Sequence, residues 1–214
     1  MTKQITIQEA VAKIKDGMTI MVAGFLANGT PNKILDALAE SNVKNLTVIA
    51  NDAAYSNKGV GKLFVNKQIK KYIASHIGSN ELIQEQMNNK EIEVELVPQG
   101  TLAERIRCGG HGLGGVLTQT GMGTIIAEGK QIITVDGKDY LLEKPLHADV
   151  ALIGASKGDK DGNLVYFGTS QNFNPLMAMA ADVVIAGIDN VVEVGEINPE
   201  QVHTPAILVD YIVY

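Results

Sequence analysis

Residues 16–31 read Asp16-Gly17-Met18-Thr19-Ile20-Met21-Val22-Ala23-Gly24-Phe25-Leu26-Ala27-Asn28-Gly29-Thr30-Pro31, and this stretch decides the fold. The turn pair Asp16-Gly17 opens a six-residue apolar run, 18–23, whose length and flanks suit a buried strand. The run breaks at Gly24. A loop closed by Gly29 follows, and Thr30-Pro31 reads as a helix start, with a hydroxyl at the N-cap and proline at the first helical position. Ile34, Leu35 and Leu38 then recur at helical spacing. The unit is strand, glycine loop, helix.

Such a unit has a chemical use. Free N–H groups at a helix N-terminus, reached through a loop poor in bulky side chains, can hold an anion or an oxyanion. The spacing Gly-Phe-x-x-x-Gly-x-Pro is neither the dinucleotide fingerprint nor the Walker A loop, and no Lys-Ser/Thr pair follows the second glycine. Geometry alone leaves two readings open: a ligand loop, or a tight strand-to-helix turn.

Outward from that unit, residues 6–15 read as a short helix with a Thr6/Glu9 capping box and an apolar stripe of Ile7, Ala10, Val11 and Ile14. Strands are expected at 46–50, ending at the polar pair Asn51-Asp52, and at 70–75. Asn80 caps a helix to about 89, with Leu82, Ile83 and Met87 as its buried side, and a half-exposed strand at 91–97 stops at Pro98. Residues 51–66 show no firm period and read as loop and short helix. Helices alternating with strands predict an α/β chain, a mostly parallel sheet covered by helices.

Residues 98–123 hold eight of the 22 glycines, interleaved with Leu113, Val116, Leu117 and Met122. A flexible linker would be richer in Ser and charge, so the segment reads as backbone packed closely against another surface or ligand. Thr101 and Glu104 suggest a capping box for a helix ending at Arg105-Ile106-Arg107-Cys108, with Gly109 just beyond it. Residues 130–143, turning at Asp136-Gly137, form an added β-hairpin. Further strands are expected at 149–155, 163–167, 182–186 and 207–213. A helix starting at Asn174-Pro175 carries Leu176, Met177, Met179 and Ala180 as core.

Length and composition bound the function. The 214 residues suffice for a single α/β domain, 1–214. A net charge of −6, no Trp and only ten Phe plus Tyr give neither a basic field nor stacking platforms for nucleic acid. One cysteine, Cys108, allows no intrachain disulfide and fits a reducing compartment. No apolar run approaches the ~20 residues that span a bilayer, and the N-terminus carries no apolar leader, so a soluble, cytoplasmic protein off the membrane is expected. His76, His111, His147 and His203 lie apart without ligand spacing, so no metal is expected. Cys108 near a helix C-terminus would have its thiolate disfavoured.

Three segments carry a family resemblance. Asp16-Gly17, the apolar run, Gly24-Phe25, Gly29 and Pro31 resemble the first signature of the family I coenzyme A transferases, in the alpha-type subunit, with Ala23 where that family usually has glycine. Residues 97–112, from Val97-Pro98-Gln99-Gly100-Thr101 to Gly109-Gly110-His111-Gly112, are similar to its second block, with His111 where alanine is frequent. Gln171-Asn172-Phe173-Asn174-Pro175 is similar to the third, where arginine is usual at position 171.

The resemblance implies a CoA-transferase alpha-subunit type fold and transfer of CoA between a short-chain acyl-CoA and acetate, acetoacetate or butyrate. It implies that residues Gly24, Phe25, Leu26, Ala27, Asn28, Gly29 and Thr30 bind coenzyme A, a substrate and not a permanently bound cofactor. Gln99 would contact the acceptor carboxylate, and a neutral amide can donate to a carboxylate without locking it in an ion pair. The chemistry implied is ping-pong, through a glutamate within a Glu-Asn-Gly sequence of a beta-type subunit. This chain has no Glu-Asn-Gly, and Glu104, Glu193 and Glu196 read as capping or solvated residues. No catalytic nucleophile is expected here, so the partner is a beta subunit in a hetero-oligomer. The rival reading is a phosphate-sugar sensor or isomerase-like domain on a related scaffold, which requires cations converging on residues 24–30.

Overall fold

The computed structural model describes residues 3–214. In chain order its elements are α1 (Ile7–Ala12), β1 (Thr19–Val22), α2 (Asn32–Glu40), β2 (Leu46–Asp52), α3 (Gly61–Val65), β3 (Ile69–His76), α4 (Glu81–Asn88), β4 (Glu93–Leu96), α5 (Gln99–Gly110), β5 (Val116–Thr118), β6 (Ile132–Val135), β7 (Lys138–Glu143), β8 (Ala148–Asp159), β9 (Leu164–Val165), α6 (Asn174–Met177), β10 (Ala181–Val192) and β11 (Tyr211–Val213). Seven strands form a parallel sheet in the order β11-β10-β8-β1-β2-β3-β4, with β9 antiparallel on β8. The chain winds outward from β1 to β4 on one side, then returns to place β8, β10 and β11 on the other. The sheet therefore reverses direction between β1 and β8, the place where open α/β sheets bind ligands beyond their carboxyl ends.

Both faces of the sheet are covered. Ile20 and Val22 of β1, with Val48 and Ala50 of β2, pack on one side against Ile34, Leu35 and Leu38 of α2 and Ile83 of α4. Met21, Ile49, Ala151 and Ile153 point to the other side, against Leu102 and Ile106 of α5 and Met177 of α6. Alternate residues of each central strand thus feed two apolar layers, which is why those strands read as continuous apolar runs. At ~25 cal/mol per Å² of apolar area, burial on both faces stabilises these strands together with the helices packed on them.

Local signals held in several places. Thr6 and Glu9 form the reciprocal capping box, with Glu9 N–H donating to Thr6 Oγ1 at 3.1 Å and Thr6 N–H to Glu9 Oε2 at 2.8 Å. Asn80 accepts from Leu82 N–H at the start of α4. Asp136 and Gly137 turn β6 into β7 with φ of 50° and 74°, the left-handed pair that a type I′ hairpin demands.

Other expectations are corrected. Thr30 does not cap α2: its hydroxyl donates to Ala23 O at 2.9 Å and Pro31 takes the cap position, because closing the loop competes for the same side chain. Thr101 and Glu104 form no capping box. α5 starts two residues before Thr101, and Glu104 accepts from Arg107 one turn on, at 2.9 Å. That helix also runs on through Gly109 and Gly110 to a cap at His111. A Cβ at Gly109 would lie 2.0 Å from Leu146 O, and one at Gly110 would lie 2.6 Å from Met179 Cβ, so close packing, not chain termination, uses these glycines. Asn51 and Asp52 stay within β2 and are buried. Residues 207–210 precede the last strand, and Ile207 is 89% exposed. The hairpin gains a third strand, β5, that the glycine-rich segment concealed.

Candidate active site

Residues 24–30 lie beyond the carboxyl end of β1, beside β8, at the reversal point of the sheet. Phe25 and Asn28 pair as a two-residue hairpin: Phe25 N–H donates to Asn28 O at 3.0 Å, and Asn28 N–H to Phe25 O at 2.9 Å. The turn residues are Leu26, φ 49°, and Ala27, φ 64°. This is the same left-handed pair that Asp136-Gly137 adopts, built from residues that resist it. Each such residue costs about 1–2 kcal/mol, so surrounding contacts must hold it.

Those contacts come from two places far along the chain. Both carboxylate oxygens of Asp52 face Leu26 N–H, at 3.1 and 3.2 Å, and Asp52 also accepts from Ala54 N–H at 2.8 Å. From the other side, Asn172 Oδ1 accepts from Gly24 N–H at 3.1 Å while its Nδ2 donates to Asn28 O at 3.1 Å. Asn174 Nδ2 donates to Gly29 O at 2.9 Å, and Asn174 Oδ1 accepts from Gly154 N–H of β8 at 2.8 Å. A Cβ on Gly24 would sit 1.8 Å from Thr30 Oγ1, and one on Gly29 would sit 2.3 Å from Ser170 O. Both glycines are required by space as well as by their positive φ.

A cleft of about 480 Å³ opens beside this loop, lined by Phe25, Gln99, Gly100, Ala103, Thr169, Asn172, Phe173 and Leu176. One residue of the loop, two from the start of α5 and two from the 171–175 segment thus meet in one place. Of residues 24–30 only Phe25 lines the cleft; Gly24, Gly29 and Thr30 shape the loop, and Leu26, Ala27 and Asn28 form its turn. Gln99 is the first residue of α5, whose N-terminus has no side-chain cap, and its Nε2 donates to Asn51 Oδ1 at 2.7 Å.

Among the described residues no Lys, Arg, Asp or Glu lines the cleft. Glu104 pairs with Arg107, Glu193 pairs with Lys160, and Glu196 accepts from Glu193 N–H at 2.8 Å; none of the three reaches it. Cys108 is buried. Burial pushes the Tyr72 hydroxyl well above its ordinary value, and the charge of Asp52 adds to that. Burial likewise lifts Tyr166 to about 12, against the opposing bond to Thr204. Both phenols are thereby held in the neutral form near neutral pH. Among the described residues no group of His, Cys, Asp and Glu side chains is disposed to hold a metal ion, and no helix is long and apolar enough to cross a membrane.

Sequence reasoning missed Asn51, Asp52, Thr169 and the cleft-facing side of Leu176. A polar pair ending an apolar strand was the one available signal for the first two. Leu176 read as core beside Met177; only Met177 is fully buried.

A strained glycine loop at the sheet reversal, a second helix N-terminus and an asparagine clamp thus converge beside one cleft. The chain belongs to the coenzyme A transferase family, whose model matches residues 4–214. It is 52% identical over 212 residues to the acetate CoA-transferase subunit alpha of Escherichia coli (strain K12), covering 99% of this chain and 96% of that one. It is 54% identical over 212 residues to the acetoacetyl-CoA:acetate/butyrate CoA transferase alpha subunit of Clostridium acetobutylicum, covering 99% and 97%. The fold superposes on glutaconate coenzyme A-transferase from Acidaminococcus fermentans with a TM-score of 0.85 at 18% identity, over 99% of this chain and 75% of that one. An acyl-CoA transferase of Escherichia coli O157:H7 gives 0.87 at 22% identity, and there the chain matches 46% of the longer polypeptide.

Proposed function

We propose that this chain is the alpha subunit of a transferase that moves CoA between a short-chain acyl-CoA and a short monocarboxylic acid, acetate, acetoacetate or butyrate, together with a beta subunit. The observation that carries the reading is the convergence of Phe25, Gln99 and Asn172-Phe173 on one cleft without charged side chains. An apolar wall of Phe25, Ala103, Phe173 and Leu176 suits a short hydrocarbon chain, and Gln99 at an uncapped helix start offers N–H groups to the carboxylate at its end.

In this reading residues Gly24 to Thr30 form the loop that CoA approaches, and the rigid turn at Leu26-Ala27 keeps its backbone fixed while the thioester reacts. The nucleophilic glutamate comes from the beta subunit. Its carboxylate attacks the acyl-CoA thioester, an enzyme–CoA thioester follows as the first acid leaves, and the second acid takes the CoA. A cleft that holds no carboxylate is consistent with half a site. The phosphate-binding alternative needed converging cations, and none lines the cleft.

The test is CoA transfer from acetyl-CoA to acetoacetate and to butyrate, with this chain alone and with its co-expressed beta subunit. Activity is expected only in the mixture, and Gln99→Ala is expected to raise the acceptor KM about tenfold, the loss of one charge-assisted hydrogen bond. Full activity of the lone chain would sink the half-site reading.

A further inference from the structure

The two binding elements, the loop and Gln99, are wired to one buried carboxylate. Asp52 is 7% exposed and all its partners donate: Leu26 N–H, Ala54 N–H and, at 2.7 Å, Asn51 Nδ2. A carboxylate only accepts, so the nitrogen end of Asn51 has to face it. The oxygen end then faces the other way, where it meets Ser75 Oγ at 2.9 Å and Gln99 Nε2 at 2.7 Å. Asn51 is 1% exposed, so no solvent position allows it to turn over without cost. Gln99 is thereby obliged to spend one N–H on Asn51 and is held in a single orientation, with its second N–H and its oxygen left for the cleft.

We propose that Asp52 is a positioning residue whose charge sets, through Asn51, which end of the Gln99 amide the substrate carboxylate meets, while the same carboxylate holds Leu26 in its strained turn. An amide read from the wrong end offers an oxygen to a carboxylate, so the orientation decides between attraction and repulsion. The kinetic consequence rests on the transferase reading of the cleft; the orientation of the amide does not.

The test moves the charge by one residue. In Asp52→Asn, two amide nitrogens compete across the Asn51 contact, so Asn51 and then Gln99 turn over. In the double variant Asn51→Asp with Asp52→Asn, a carboxylate at position 51 again accepts from Gln99, and the amide oxygen at position 52 still faces Leu26 and Ala54 N–H. The first readout is the Gln99 side-chain N–H signal in 15N-labelled full-length chain, identified by its loss in Gln99→Ala. It is expected to be shifted and protected from exchange in the parent, lost from that position in Asp52→Asn, and restored in the double variant. The second is kinetics of the complex with its beta subunit: acceptor KM up about tenfold in Asp52→Asn and within about threefold of the parent in the double variant.

A Gln99 signal unchanged by Asp52→Asn, or a double variant no better than the single one, would overturn the proposal; a purely structural role predicts no rescue from two substitutions. If the amide signals follow the expected pattern while the parent complex transfers no CoA, the relay stands and the transferase reading falls.

Discussion

Asn172 accepts the backbone N–H of Gly24 through its side-chain oxygen at 3.1 Å, across 148 residues of chain. The same side chain donates to the carbonyls of Asn28, Thr169 and Ser170, at 3.0–3.1 Å, so one amide closes the loop from behind. Its backbone is itself held at a positive φ of 24°. Asn172→Ala leaves Gly24 N–H and Thr169 O without partners, while Asn28 O keeps Phe25 N–H and Ser170 O keeps Asn174 Nδ2, and is expected to cost about 2–3 kcal/mol. That is a fall of roughly 5–10 °C in melting temperature by calorimetry, with a raised KM for acyl-CoA. Asn172→Asp, of equal size, keeps the acceptor but sets a carboxylate against three carbonyls; it should be no more stable than the alanine variant.

Gly24 and Gly100 should respond in opposite senses. A methyl at Gly24 meets Thr30 Oγ1 at 1.8 Å and a φ of 138°, so Gly24→Ala is expected to lose about 2 kcal/mol or more and most of the activity. Gly100 sits in the first turn of α5 with nothing within 4 Å of a built Cβ. Gly100→Ala should gain up to about 0.5–1 kcal/mol, yet narrow the cleft that Gly100 lines and raise the acceptor KM. Denaturant unfolding and steady-state kinetics on the same two variants separate the effects.

Acid selectivity follows from the lining. A second carboxylate entering the cleft would lose water and find no cation, so butyrate should be preferred over succinate by on the order of 100-fold in kcat/KM. Leu176→Ala removes one wall of the cleft and should favour a longer acid over acetate by about tenfold more than in the parent. Competition assays with mixed acids measure both ratios.

The ion pairs of Glu95 on β4 give a pH prediction. Arg105 of α5 reaches Glu95 of β4 at 2.7 Å and the carbonyl of Lys144, beyond β7, at 2.9 Å. Burial opposes the charge on Glu95, but Arg105 and Lys71 together outweigh it and hold the carboxyl below its ordinary 4.5. A depressed folded-state value contributes stability that is present above 4.5 and lost as pH falls through the lower, folded-state value. Glu95→Gln should therefore be less stable than the parent at neutral pH and lose less stability on acidification below 4.5. Equal acid slopes in urea titrations of the two would refute this.

Much of the fold was legible because its signals are local. The apolar run 18–23, the Thr6/Glu9 box, the Asn80 cap and the Asp136-Gly137 turn each depend on residues a few positions apart, and backbone chemistry is satisfied within that distance. The reading failed where a side chain had a choice of partners. Thr30 and Glu104 suit capping equally well on paper, but Ala23 O and Arg107 were nearer once the chain had folded.

The sequence by itself determined a parallel α/β sheet, a loop at Gly24–Thr30 and the three blocks that resemble the coenzyme A transferases, the second of which singled out Gln99. Only the tertiary structure decided that the loop turns at Leu26-Ala27, a pair no turn rule would select, because Asp52 and Asn172 hold it there. It also decided that Asn51 and Asp52 are buried inside a strand and not the start of a loop. The physical reason is range. Hydrogen bonds that span 26, 48 and 148 residues leave no periodicity in the chain, yet they orient the polar groups of the cleft.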